Sequence, residues 1–254
     1  MLAKSVANTF SQAASHYKQH DVVQRLTADI LMSQSRLSGH LLDIGCGPGT
    51  DFSAFKPLTK VTAVDIAPGM LEQVAQHFPH YQTLCSDAQN MGINANSVDH
   101  VYSNLALQWC QDYPQAIAEI HRVLVDKGEC HLAIVSAGSL PQLKQLGFRI
   151  NHFNHQTALL SPFISSQNND NDTSHWQLIS SAEQTVTVYF DDLRSLLYSI
   201  KGVGATAGGN DAGVQGVLTK SQWAKRLELA KQLSTHQGIP LSYQVVFIHA
   251  KKAT

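Results

Sequence analysis

The stretch Leu41-Leu42-Asp43-Ile44-Gly45-Cys46-Gly47-Pro48-Gly49 limits what this chain can fold into more than any other. An apolar run ends beside an acidic residue and passes into a turn with glycine at every second position. Such a run reads as a buried strand. Glycines in register let the backbone approach a ligand that a β-carbon would hold off. A second apolar run, Val61-Thr62-Ala63-Val64, closes on Asp65, 22 residues after Asp43. Strand, glycine turn, helix, strand, acid is the order of a nucleoside-binding α/β site. The spacing therefore predicts a helix between the two strands.

The details separate two nucleosides. A dinucleotide turn would read G-x-G-x-x-G, whereas here the glycines fall at 45, 47 and 49 and position 50 is Thr50. A carboxylate at Asp43 would repel a pyrophosphate but would pair with a cationic ammonium group. S-adenosylmethionine carries such a group on its methionyl end and has no phosphate. Asp65, with Ile66 beside it, is then placed to accept the ribose hydroxyls, as an acid in this position does for NAD. After a short strand-like run, Tyr81 to Leu84, comes Cys85-Ser86-Asp87-Ala88. Asp87 there can accept the adenine amine, and the backbone at Ala88 can bond the ring. Ser97 to Leu105 reads as a fourth strand running into a loop, with Asn104 facing the methionyl end or the incoming acceptor. Pro114 to Leu124 has helical spacing, and Cys130 to Val135 reads as a fifth strand. This series of signals is similar to that of class I methyltransferases.

Two helices, 4–17 and 21–35, precede the first strand and are placed to close over the cofactor. The core sheet runs from about 40 to 136 as alternating strands and helices. A helix follows over 139–147, and the pattern weakens from 148 to 184, where 165–174 is a polar loop. Thr185 to Phe190 reads as a sixth strand, followed by a helix to Ile200. The glycine-rich segment Gly202–Gly216 lacks the G-K-[ST] ending of a phosphate loop and reads as a flexible lid. Thr219 N-caps a helix to about Leu233. Leu241 to Ala250 is a last strand, antiparallel beside the sixth. The expected fold is α/β and Rossmann-like: a mostly parallel seven-stranded sheet with an antiparallel last strand, N-terminal helices and an inserted lid region. One domain is expected over 1–254, with a cap (1–36), a cofactor-binding core (40–136), an insert (137–184) and a C-terminal part (185–254).

Composition excludes several classes. No run of 18 apolar residues suggests a membrane span, and the first residues lack the apolar stretch of a signal peptide. Cys46, Cys85, Cys110 and Cys130 form no C-x-x-C pair and read as reduced thiols of a cytoplasmic protein. Among 13 histidines, His152 and His155 form a close pair, without a clear carboxylate or cysteine partner. No metal site is expected on that basis. The net charge of −1 hides an asymmetry: residues 191–254 carry eight Lys/Arg against four acids. That basic quarter suggests an anionic partner, but it is too dilute for nucleic acid.

Other segments point to the acceptor. They are Val6 to Tyr17, Asn104-Leu105-Ala106-Leu107-Gln108-Trp109, Gly138 to Leu143, Lys201-Gly202-Val203-Gly204-Ala205-Thr206, Leu218 to Gln222 and Pro240 to Tyr243. Over residues 4–250 the chain closely resembles the malonyl-acyl-carrier-protein O-methyltransferase family of biotin synthesis. It departs from the family pattern over about 148–180, where family members carry a proline-containing segment, and at Ser86, where glycine is common. The resemblance implies methyl transfer from S-adenosylmethionine to the free carboxylate of a malonyl thioester, carried on acyl carrier protein or coenzyme A. The products would be a methyl ester and S-adenosyl-L-homocysteine. A malonyl carboxylate is ionised at pH 7, so no general base is expected. Alignment and desolvation would supply the catalysis. Lys201 is the first candidate to hold the carboxylate and Arg149 the second. Tyr17 would close over the methionyl end, and Gln108 and Trp109 would line the acceptor side. Acyl carrier proteins are acidic, so Lys220, Lys225, Arg226 and Lys231 become a candidate docking face. Two alternatives stay open: a methyltransferase for another small acid or quinone-type acceptor, and a protein that binds adenosylmethionine without catalysis.

Overall fold

The computed structural model describes residues 2–164, 175–205 and 219–253. Five strands run parallel: β1 (Gly39–Ile44), β2 (Leu58–Asp65), β3 (Gln82–Cys85), β4 (Val98–Asn104) and β5 (Leu124–Val135). A long antiparallel pair, β6 (Trp176–Phe190) and β7 (Ile239–Lys252), completes the sheet, with order β3-β2-β1-β4-β5-β7-β6. The last strand is thus antiparallel, as expected, and lies between β5 and β6. Leu41, Leu42, Asp43 and Ile44 are all buried, as a strand covered on both faces requires. The helices α2 (Val22–Ser33) and α3 (Pro68–His77) cover one face. The other is covered by α4 (Tyr113–Val123) and α6 (Gln156–Ile164). A separate apolar cluster joins α5 (Pro141–Gln145), α7 (Leu193–Lys201) and α8 (Lys220–Leu233) to one end of the β6–β7 pair. The first helix, α1 (Leu2–Ala13), lies over α3, with Phe10 packed against Ala67 and Met70. No helix among the described residues is long and apolar enough to cross a membrane.

Several expectations change. There is no helix between β1 and β2; residues 45–57 form turns and bends. Asp51 accepts from the Ser53 amide (2.8 Å) in a local turn that competes with helix. Phe52 is driven inward, its ring edge-on to Tyr102 at 5.2 Å. Pro57 then removes a backbone donor just before β2. One buried aromatic ring thus fills space the expected helix would have covered. The sixth strand starts at Trp176, nine residues before the expected Thr185. Its first half is an edge segment with little burial, so no apolar alternation marks it. Tyr17 sits on a separate 3-10 turn, Tyr17–Gln19, after α1 has ended. The polar loop 165–174 and residues 206–216 of the expected lid lie outside the described residues.

Candidate active site

The carboxyl ends of the parallel strands converge at one edge, where ligands of open α/β sheets bind. A cleft of about 810 Å³, counting the solvent at its mouth, opens there. Tyr17, Gly45, Gly47, Asp65, Ile66, Asp87, Ala88 and Asn104 all line it. Gly45, Gly47 and Gly49 take φ of +65°, +53° and +95°, values that glycine adopts without strain. A β-carbon on Gly45 would lie 2.1 Å from the Ala106 Cβ, so the turn also requires glycine for close packing.

Asp65 fixes this turn. One carboxylate oxygen accepts from the Gly47 amide (2.9 Å) and the other from the Ala67 amide (2.8 Å). Burial raises its pKa to about 6 even though these amides favour the ionised form. Each oxygen keeps a lone pair for a further donor. Asp87 accepts from the Gln89 amide (2.9 Å) and side chain (2.8 Å). Asn104 donates to the Gln24 carbonyl (2.8 Å), while its buried Oδ1 has no partner. Asp43 stands elsewhere: it is buried and is not among the lining residues. Its Oδ2 has no partner, and burial with the nearby Asp65 charge raises its pKa to about 8.

A second cavity of about 680 Å³, again counting open solvent, adjoins the first. Phe10, Tyr17, Leu105 and Trp109 line both. Phe10 meets Trp109 edge-on at 5.6 Å, so the N-terminal cap forms part of this shared wall. Leu105 (φ +50°) and Leu140 (φ +61°), both in the left-handed region, also line the second cavity. That conformation costs a β-carbon residue about 1–2 kcal/mol, and strain of this kind concentrates at functional sites. Gln108 lines the same cavity, donates to the Leu105 carbonyl (2.7 Å) and has a buried Oε1 without a partner. Arg149 lines it too and is the one charged side chain among the described lining residues. Lys201 does not: it ends α7, exposed, and lines neither cavity.

The described start of the glycine-rich segment is packed. A β-carbon on Gly202 would strike the His20 ring at 2.1 Å, and one on Gly204 (φ +75°) would lie 3.0 Å from Phe10. Val203 and Ala205 line the second cavity. Phe10, Leu105 and Leu140 fall within the runs Val6–Tyr17, Asn104–Trp109 and Gly138–Leu143 that the sequence singled out, but none was named individually as a wall residue, and no sequence pattern marks a left-handed leucine.

Residues 42–132 match the Methyltransferase domain family. A putative methyltransferase from Bacillus halodurans superposes with a TM-score of 0.61 at 15% identity, over 89% of this chain and 98% of that one. Geranyl diphosphate C-methyltransferase from Streptomyces coelicolor, solved with S-adenosyl-L-homocysteine, gives 0.53 at 14% identity over 90% and 79%. Fold and site together define a class I methyltransferase whose methyl donor is S-adenosylmethionine. The malonyl-[acyl-carrier protein] O-methyltransferase of Alcanivorax borkumensis is 31% identical over 98% of this chain and 86% of its own length. That of Enterobacter lignolyticus is 33% identical over 95% and 94%. The chain belongs to the malonyl-[acyl-carrier protein] O-methyltransferase family.

Proposed function

We propose that this chain methylates the free carboxylate of a malonyl thioester carried on acyl carrier protein, and that Arg149 holds that carboxylate. The observation that carries this reading is the pair of cavities meeting at Phe10, Tyr17, Leu105 and Trp109, the second with a single cation in its described lining. When bound, S-adenosylmethionine supplies an electrophilic sulfonium methyl group. Asp65 would hold its ribose, Asp87 and Ala88 its adenine, and Asn104 its ammonium end.

The chain's residues then orient and desolvate the acceptor. A carboxylate with an ordinary pKa near 4 is fully ionised at pH 7, so no side chain has to remove a proton. Leu140, Leu143, Phe153, Ile200 and Val203 give the second cavity apolar walls. Those walls strip water from the nucleophile while the guanidinium fixes its direction. The ester product carries no charge. It forfeits the charge-assisted hydrogen bonds, worth about 1.5–3 kcal/mol, and so binds more weakly than the substrate.

Lys220, Lys225 and Lys231 are exposed on α8, where they support docking of an acidic carrier protein. Arg226 is otherwise engaged: its guanidinium lies over the Phe148 ring at 4.1 Å and donates to the Gly147 carbonyl (2.8 Å). It thereby holds the loop that presents Arg149. The test is transfer of labelled methyl from adenosylmethionine to malonyl-, acetyl- and succinyl-acyl carrier protein. Esterase-removable label on the malonyl form alone is expected, with Lys220→Glu/Lys225→Glu slowing carrier-linked acceptor more than malonyl-coenzyme A. No label on the malonyl carrier, despite cofactor binding, would contradict the reading.

A further inference from the structure

At the opposite end of the sheet three histidines and a glutamate meet. Register puts them on one face: His100 of β4 pairs with Glu129 of β5, while His131 of β5 pairs with His249 of β7 and Glu129 with Lys251. Successive strand side chains alternate, so positions 129 and 131 project together, as do 249 and 251. The His131 ring stacks on His249 at 4.3 Å and on His100 at 6.1 Å. His100 lies four residues before Asn104, about 13 Å down the strand, well away from the methyl-transfer cavities.

We propose that His100, Glu129 and His131 form a binding site for a divalent transition metal of the zinc class. Their ligand atoms lie within 4.8 Å of one another. Tetrahedral zinc, with bonds of about 2.0–2.2 Å, would draw them to within about 3.5 Å of each other, a shift that side-chain rotation covers. Two imidazoles and a carboxylate form a donor set that suits such ions. Two of the donor atoms are otherwise hard to account for. His100 Nδ1 and His131 Nε2 are buried without hydrogen-bond partners, and leaving such groups unpaired in the interior is unfavourable. A cation would satisfy both.

The surroundings are those of a supported site. His100 Nε2 bonds the Ser38 hydroxyl (3.2 Å), the kind of outer contact that orients a ligating imidazole. His249 Nε2 lies 2.9 Å from Glu129 Oε2 and positions the carboxylate. His131 is buried, and burial disfavours its charged form, so the imidazole is neutral, the form that ligates. Glu129 and His249 are each about a quarter exposed, which gives an entry path from solvent. Lys251 Nζ, 3.7 Å from Glu129 Oε1, is the one described cation paired with this carboxylate and opposes an incoming ion.

The test uses the untagged full-length chain, stripped with chelator and titrated with zinc by calorimetry and with cobalt(II) by visible absorption. One saturable site per chain is expected, with tetrahedral cobalt bands and a zinc-dependent rise in Tm. His131→Gln and Glu129→Gln should each weaken binding at least tenfold. Lys251→Gln should tighten it, and His152→Gln/His155→Gln should leave it unchanged. If His131→Gln fails to fold, Glu129→Gln decides the matter, because its side chain is partly exposed. No saturable binding by the unaltered chain, or equal binding by Glu129→Gln, would overturn the proposal.

Discussion

Arg149 and Lys201 differ in what they face. Both are cations near the acceptor segments, yet only Arg149 lines the second cavity, and Lys201 points from the end of α7 into solvent. Arg149→Gln should therefore raise KM for malonyl-acyl carrier protein and lower kcat/KM by roughly ten- to a hundredfold, the worth of a charge-assisted bond. Lys201→Gln should change it less than threefold. Steady-state kinetics of the two variants checks this, and equal losses would mean that Arg149 has no special role. The expected residues that line the first cavity, Tyr17 aside, were legible because they are local: turns after β1, β2, β3 and β4 each contribute neighbours in sequence. Asp43 was legible only as an acid at a strand end. Period-two geometry decides which face that acid joins, and its side chain is not among the cavity's lining residues. The acceptor cavity was not legible in the same way, because its walls come from segments scattered from Phe10 to Tyr243.

The seam between α7 and the N-terminal cap explains the glycines of Lys201-Gly202-Val203-Gly204-Ala205. Gly202 lies against His20, whose ring stacks on Tyr198 of α7 at 6.2 Å, and Gly204 lies against Phe10. Gly204→Ala places a side chain at φ +75° and presses on Phe10, which lines both cavities. The expected results are a loss of about 1–2 kcal/mol in stability from the backbone alone and weaker binding of S-adenosyl-L-homocysteine, measured by thermal unfolding and calorimetry. Unchanged binding would show that the seam does not hold the cofactor wall. Among the elements, β1 and β2 were legible from continuous apolar runs, whereas β5 starts at Leu124, six residues before the expected Cys130. The start of α8 was legible from Thr219, whose Oγ accepts from the Gln222 amide (3.2 Å) while Gln222 reaches back to the Thr219 amide (2.9 Å). The first half of β6 was not, since an edge strand buries too little to impose a pattern. The absent helix after β1 was misread because the burial of Phe52 is a tertiary choice that overrides the usual α/β order.

For the whole molecule, burial makes stability depend on pH in opposite directions. His131 has a folded pKa of about 3, below its ordinary 6.5. The unfolded chain then binds the extra proton, and stability is lost as pH falls from about 6.5 toward 3. Asp43 has a folded pKa of about 8, above its ordinary 3.8. The folded chain then holds the extra proton, and stability is lost as pH rises from about 4 to 8. Between pH 6.5 and 8 the carboxyl acts alone of the two, at about 1.4 kcal/mol per unit, or about 2 kcal/mol across the interval. The Tm of the unliganded chain should fall over that range, and Asp43→Asn should flatten the slope; a rising Tm would refute the assignment. At the carboxyl edge of the parallel strands the two cavities share one aromatic wall. The most direct measurement of that arrangement is a crystal structure of the chain with S-adenosyl-L-homocysteine and a malonyl thioester. The predicted result is the homocysteine sulfur at the wall of Phe10, Tyr17 and Trp109, with the malonyl carboxylate within hydrogen-bond reach of Arg149. A carboxylate bound outside the second cavity, or held by Lys201 instead, would contradict it.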